Sequence, residues 1–171
     1  GGTSQSNIDL YAFGSNGVEI PNSTLVANSV NGDANIDVET GVAIGNLLVD
    51  ASTIKASGRS AGIFAYGGNV TIKGGSTVTA TGKTGADGGS GAIGIFASNH
   101  IDTGGSTLRA TGKNSPQLDP DVALVAVEGT AIGLLAEEGD VTLGFLSTNG
   151  TVGVVASSGK IIDGNNGANN A

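Results

Sequence analysis

The residues best suited to acid–base chemistry in this sequence are a histidine and two charged neighbours. His100 is the only histidine, Asp102 lies two residues beyond it, and Arg109 follows in the same segment. Nucleophilic catalysis would require a serine or cysteine oriented by this imidazole. His100 takes the place that Asn69 holds in a neighbouring copy of an internal repeat, which favours a corner residue over a catalytic base.

A pair of carboxylates offers a second possibility. Asp119 and Asp121 could serve as the two acids of a β-helical glycosidase, which must be held on a rigid face at a set separation. Both flank Pro120, however, and this pattern is typical of a solvated turn. We therefore predict no catalytic residue in this chain.

Two glycine-rich patterns could hold a ligand. Residues 89–94 match G-x-G-x-x-G, which cradles pyrophosphate at the start of a helix, but here the pattern precedes a predicted strand. Residues 88–93 partly match a calcium-binding repeat, but Ile93 stands where the aspartate ligand is required. We predict no cofactor and no structural metal.

The elements that position these residues come from an internal repeat. Residues 62–83 read GIFAYGGNVTIKGGSTVTATGK, and residues 94–113 read GIFASNHIDTGGSTLRATGK. Each copy runs in the order G-Φ-Φ-A, then a short middle element, then S-T-Φ-x-A, where Φ is apolar. The middle element reads NVTI at residues 69–72 in the first copy and HIDT at residues 100–103 in the second. A unit this short cannot bury its apolar face alone and must stack on its neighbours.

The three motifs of each copy are short apolar runs bounded by Gly, Asn or Ser, as short strands are. No window sustains the periodicity of a helix. We therefore predict an all-β fold, a parallel β-solenoid in which each coil contributes one strand to each of three sheets, with about six to eight coils. Residues 1–171 form one segment of it, with loop insertions near 84–90 and 114–121.

Alternation along the G-Φ-Φ-A strands separates an interior set from an exterior set. The interior pairs are Ile63 and Ala65, Ile95 and Ala97, Leu134 and Ala136, and Val154 and Ala156. The exterior set, which we call the stripe and predict to contact a partner, is Phe64, Tyr66, Phe96, Leu135 and Val155. A corner between the two apolar residues of each motif would instead turn both inward.

The composition of the chain makes some classes of binding partner less favourable than others. The net charge of −8 disfavours nucleic acid and anionic lipid, because there is no basic patch to neutralise phosphate. The chain has no cysteine, so it could cross an oxidising compartment without mispairing. Its most apolar window, 122–136, is short and is interrupted by Glu128, so we do not expect it to span a membrane. The opening Gly-Gly-Thr-Ser lacks the charged and apolar regions of a secretory signal, so we expect no such signal in the sequence given. We predict no direct membrane insertion.

Neither end of the sequence looks like the polar or helical cap that an open solenoid normally needs. We therefore expect a segment of a longer rod, in which flanking coils of the same polypeptide are the first partners.

Three strings carry a family resemblance: residues 69–81, 139–143 and especially 159–170. They resemble the coils of filamentous haemagglutinin-like and autotransporter-type bacterial surface proteins. This resemblance implies a right-handed parallel β-helix that is secreted or displayed at the outer membrane, facing the cell exterior. It also implies the role of an adhesin or its stalk, with a host-cell glycan or protein as receptor.

The leading prediction is thus a non-catalytic structural and adhesive segment. Two alternatives share the architecture. One is a polysaccharide-binding or polysaccharide-cleaving β-helix of the lyase or tailspike type. The other is an ice-binding solenoid, suggested by the outward threonines of residues 77–81, although Lys55 and Arg109 interrupt the flat, uncharged surface that such a protein needs.

Overall fold

Three sets of short strands recur along the chain. The computed structural model describes residues 4–40, 45–113 and 131–165, and within them every regular element is a β-strand. The strands are β1 (Ser6–Ala12), β2 (Val18–Pro21), β3 (Thr24–Asn28), β4 (Ala34–Thr40), β5 (Leu47–Asp50), β6 (Thr53–Gly58), β7 (Ala61–Gly67), β8 (Val70–Lys73), β9 (Thr77–Gly82), β10 (Gly91–Ala97), β11 (Ile101–Asp102), β12 (Thr107–Thr111), β13 (Ala131–Ala136), β14 (Val141–Leu143), β15 (Phe145–Thr148), β16 (Thr151–Ala156) and β17 (Ile161–Asp163).

Every third strand joins the same sheet. Sheet 1 has the order β1-β4-β7-β10-β13-β16, sheet 2 the order β2-β5-β8-β11-β14-β17, and sheet 3 the order β3-β6-β9-β12-β15. All pairings are parallel, from β1 with β4 to β14 with β17. Each of the first five coils therefore supplies one strand to each sheet, and the last described coil supplies β16 and β17 to sheets 1 and 2. The prediction of an all-β parallel solenoid is confirmed.

The interior is a stack of aliphatic and small side chains from all three sheets. In sheet 1 one interior row runs Ile8, Ile36, Ile63, Ile93, Ile132, Val152. In sheet 3 a row of alanines runs Ala27, Ala56, Ala80, Ala110, and each is fully buried. Small and large residues share each coil, so a narrow interior fills without aromatic rings.

The predicted interior pairs lie inward, with the deepest burial in the central coils. Ile63, Ile95 and Leu134 are buried, as are Ala97 and Ala136. The remaining three are half-buried and pack against the core: Ala65, Val154 and Ala156.

The repeat motif gives the wrong register in sheet 1. It aligns Ile95 with Ile63, whereas the strands pair Ile93 with Ile63 and Ile95 with Ala65. The offset is two residues, so the same side chains still face inward. The observed register pairs seven residues of β10 with all of β7 and buries Ile93 as well as Ile95.

Buried hydroxyl groups satisfy the backbone at the corners before sheet 3. Ser52 Oγ donates to the carbonyl of Ile20 at 2.8 Å and accepts from the amide of Ser23 at 2.9 Å. The Ser52 amide donates in turn to Ser76 Oγ at 3.0 Å. These bonds link the corners of three successive coils, whereas at the next corner Ser106 Oγ is buried without a hydrogen-bond partner among the described residues.

Of the two predicted insertions, residues 84–90 fall between β9 and β10 and contain no strand. The other, 114–121, lies outside the described residues.

Candidate ligand-binding surface on sheet 1

The outward face of sheet 1 carries two parallel rows of side chains. The first, the glycine row, runs Asp9, Asp37, Phe64, Gly94, Gly133, Gly153. The second, the aromatic row, runs Tyr11, Glu39, Tyr66, Phe96, Leu135, Val155.

The structure places all five stripe residues on this outward face, but not in one line. Tyr66, Phe96, Leu135 and Val155 follow one another in the aromatic row, whereas Phe64 lies in the glycine row, paired with Gly94. Overlaying the two copies of the repeat predicts that Phe64 pairs with Phe96, and this prediction is wrong because the register is offset by two residues. The proposed role of the stripe in contacting a partner stays a prediction.

Tyr66 and Phe96 form the centre of the aromatic row. Their ring centroids are 4.5 Å apart and their planes differ by 8°, so the rings stack face to face along the rod. This separation matches the spacing of paired strands, about 4.8 Å. The stack holds both rings upright on the sheet, with Tyr66 still 40% exposed.

Phe64 leans away from Tyr66. A Cβ added to Gly62 would lie 2.7 Å from Cε2 of Phe64, and a Cβ added to Gly94 would lie 3.0 Å from its Cδ1. The ring therefore occupies the space that side chains would fill at these two glycines. This lean opens a gap between Phe64 and the Tyr66–Phe96 stack.

The gap is a cavity of about 260 Å³, which we call the slot. Its lining residues are Asp37, Glu39, Phe64, Ala65, Tyr66, Gly94, Ile95 and Phe96. Since Ala65 and Ile95 point into the solenoid interior, their backbone forms the floor. Aromatic rings form the walls, and two carboxylates stand at one end.

The charge on sheet 1 is entirely negative. Its strands contain Asp9, Asp37 and Glu39 and none of the seven lysines and arginines of the chain. Burial raises the pKa of Asp37, and the charges of Asp9 and Glu39 raise it further. The ion pairs within the described residues, Arg59 with Asp33 and Lys73 with Asp50, lie off this surface.

Tyr11, next to Glu39 in the aromatic row, also feels this charge. Its phenol has a raised pKa because of desolvation and the nearby charges of Asp9, Glu39 and Asp37.

His100 lies at the corner before β11 and belongs to a polar ladder. Its amide donates to Asn69 Oδ1 at 3.2 Å, and its Nδ1 accepts from the amide of Asp140 at 3.0 Å. Asp140 Oδ1 accepts in turn from the amide of Lys160 at 2.8 Å. The imidazole thus accepts a hydrogen bond from the backbone of the next coil.

The other residues singled out for chemistry do not converge with His100. Asp102 points outward on sheet 2 and accepts from the amide of Gly104 at 2.9 Å, while Arg109 points outward on sheet 3. Gly91, inside the G-x-G-x-x-G pattern, begins strand β10. Asp119 and Asp121 lie outside the described residues.

Within the described ranges, no cluster of three or more histidine, cysteine, aspartate or glutamate side chains is arranged to hold a metal ion. The same ranges contain no helix that is long and apolar enough to span a membrane.

The carboxylate end of the slot is the part that the sequence interpretation missed. Residues Ile36, Asp37, Val38 and Glu39 alternate apolar and acidic, which is the signal of a strand with an acidic outer face. The repeat motifs do not include this strand.

Comparison with known protein families, with curated proteins and with solved structures found no match.

Proposed function

We propose that this chain is a non-catalytic structural and adhesive segment of a large secreted or surface-displayed bacterial protein. The observation that carries the proposal is the outward face of sheet 1, where the Tyr66–Phe96 stack borders the slot. Aromatic side chains held rigidly on a sheet lose little conformational entropy on binding, which suits recognition.

The end of the coil stack supports the proposal that flanking coils of the same polypeptide are partners. On the last described strands, two side chains that belong to interior rows are open to water: Val152 is 43% exposed and Ile161 53%. Burying such residues is favourable, and a further coil would cover them.

Adhesion is tested by coating beads with the purified chain and measuring their retention on host-cell proteins and on a glycan panel. We expect retention on at least one surface, and a loss of about tenfold or more for Tyr66→Ser combined with Phe96→Ser. Phe145→Ser is the matched control, because Phe145 is exposed on sheet 3. No retention on any surface, or an equal loss in the control, would contradict the proposal.

Surface display is tested separately in cells of the source organism. Protease added to intact cells should remove the chain, whereas a cytoplasmic marker should stay intact. Protection of the chain until the cells are lysed would refute the proposed location.

A polysaccharide-binding or polysaccharide-cleaving role is the second candidate, favoured by Asp37 and Glu39 beside the aromatic walls. Release of reducing ends from a polysaccharide, lost in Asp37→Asn, would place this candidate first. Retention on a glycan without such release would leave only the binding form of this candidate.

A further inference from the structure

The slot is built from three pairs of facing positions on successive coils. Asp37 faces Glu39 on β4, Phe64 faces Tyr66 on β7, and Gly94 faces Phe96 on β10. With about 4.8 Å between coils, the distance from the first pair to the third is about 10 Å. The slot is thus charged at one end and apolar along its length.

Among the described residues, no ion pair involves Asp37 or Glu39 at the charged end of the slot. All seven basic residues of the chain lie in the described residues, and none is on a strand of sheet 1. Asp9 adds a third negative charge next to Asp37, one strand spacing away. A cation bound here would relieve this repulsion, whereas an anion would increase it.

The apolar length suits a chain of methylene groups. Ring edges of Tyr66 and Phe96 stand on one side, Phe64 on the other, and the backbone of Ala65 and Ile95 lies beneath. Long basic side chains have this same division between an apolar stem and a charged head.

The groove continues beyond the slot. On the next coils the glycine row presents Gly133 and Gly153, and the aromatic row presents Leu135 and Val155. A Cβ added to Gly153 would meet nothing within 4 Å, so this side is open. The neighbouring residues of a bound polypeptide therefore have room along the rod axis.

We propose that the slot binds a lysine or arginine side chain of a partner protein, with the charged group between Asp37 and Glu39 and the methylene stem between Phe64 and Tyr66. This inference rests on the proposed adhesive function and specifies the chemistry of its ligand. The partner surface that it implies is basic, which complements the acidic sheet.

Tyrosine fluorescence gives a direct assay. The chain has no tryptophan and two tyrosines, so Tyr11→Phe leaves Tyr66 in the slot wall as the only strong fluorophore. N-acetyl-lysine N-methylamide and its arginine counterpart should change this signal saturably. The matched norleucine compound, which keeps the stem and lacks the charge, should bind about tenfold more weakly or worse.

Charge variants locate the site. Asp37→Asn combined with Glu39→Gln should weaken binding of the lysine compound at least about tenfold. Glu19→Gln, an exposed carboxylate on sheet 2, is the control and should leave binding unchanged. The paired variant removes like charges, so its melting temperature should not fall. A second measurement uses the protein with Asp37 and Glu39 intact. Raising the salt concentration should weaken its binding of the lysine compound, because salt screens the attraction between opposite charges.

Three outcomes would overturn the inference: equal binding of the norleucine and lysine compounds, unchanged binding in the paired variant, or butylammonium binding as tightly as a lysine-containing heptapeptide. The last would assign the slot to small amines. If the lysine compound does not bind but the coated beads are still retained, the lysine-binding inference is rejected and the adhesive function stands. Intact lysine binding without bead retention rejects the adhesive function.

Discussion

Ile101→Ala and Ile161→Ala remove the same atoms from the same interior row of sheet 2, where Ile101, Val141 and Ile161 follow one another. Their surroundings differ. Ile101 is 1% exposed between two coils, and Ile161 is 53% exposed at the end of the described stack. The two substitutions should therefore differ severalfold in their effect on the free energy of unfolding.

The magnitudes follow from burial. Truncating a fully enclosed isoleucine to alanine loses transfer free energy and leaves a cavity, so Ile101→Ala should destabilise the chain by about 2–5 kcal/mol. Ile161 has given up only about half of its exposure to water and leaves no enclosed cavity, so its truncation should cost about 1 kcal/mol.

The assay is equilibrium unfolding in urea, followed by far-ultraviolet circular dichroism on this chain and the two variants. Equal losses of stability would refute the placement of Ile101 in a closed interior. The same pair, measured in a longer polypeptide that includes the next coil, also tests the proposed flanking coils, because the cost of Ile161→Ala should then rise towards that of Ile101→Ala.

Three further predictions concern charge and packing. The hydrogen bond and charge of Arg59 lower the pKa of Asp33, so ionised Asp33 stabilises the fold at neutral pH. This stabilisation should be lost as the pH falls from the unfolded-state pKa of Asp33 towards its folded-state pKa. Asp33→Asn should therefore make the melting temperature depend less on pH in that range. Asp37 has a raised pKa, so its ionised form opposes folding, and Asp37→Asn should raise the melting temperature at pH 7 but not well below the folded-state pKa. Gly94→Ala should destabilise by about 1 kcal/mol because its Cβ meets the Phe64 ring at 3.0 Å, whereas Gly153→Ala, with nothing within 4 Å, should be neutral or stabilising in urea unfolding.

The fold was predictable from the sequence because the alternation of apolar and polar residues within each strand recurs at matching positions of successive coils. Alternation in strands such as β9 and β12 separates Val78 and Ala80 from their threonine neighbours, and the repeat places Leu108 and Ala110 at the matching positions. Stacking successive coils makes the matching strands parallel, and burial of one face decides which residues point inward.

The register of sheet 1 was harder to predict, because an offset of two residues leaves the same side chains inside. Motif similarity predicts that Ile95 pairs with Ile63. The observed register pairs more residues and buries both Ile93 and Ile95. The choice decides whether Phe96 stacks on Phe64 or on Tyr66.

The slot depends on that choice and on a strand outside the motifs. Asp37 and Glu39 lie 27 residues before Phe64 and Tyr66 in the sequence and reach them only through the pairing of β4 with β7. No local pattern around Phe64 indicates a carboxylate, so the acidic end of the slot emerges only when the coils are stacked.

The most direct test of the account is to map where a basic partner binds on the isotopically labelled chain. Backbone amide shifts should be followed by nuclear magnetic resonance as a lysine-containing heptapeptide is added. We expect the largest shifts at the slot, in the amides of Ala65, Gly94 and Phe96. Shifts centred on sheet 3 around Lys55 and Arg109, or none at all, would contradict the assignment of binding to sheet 1.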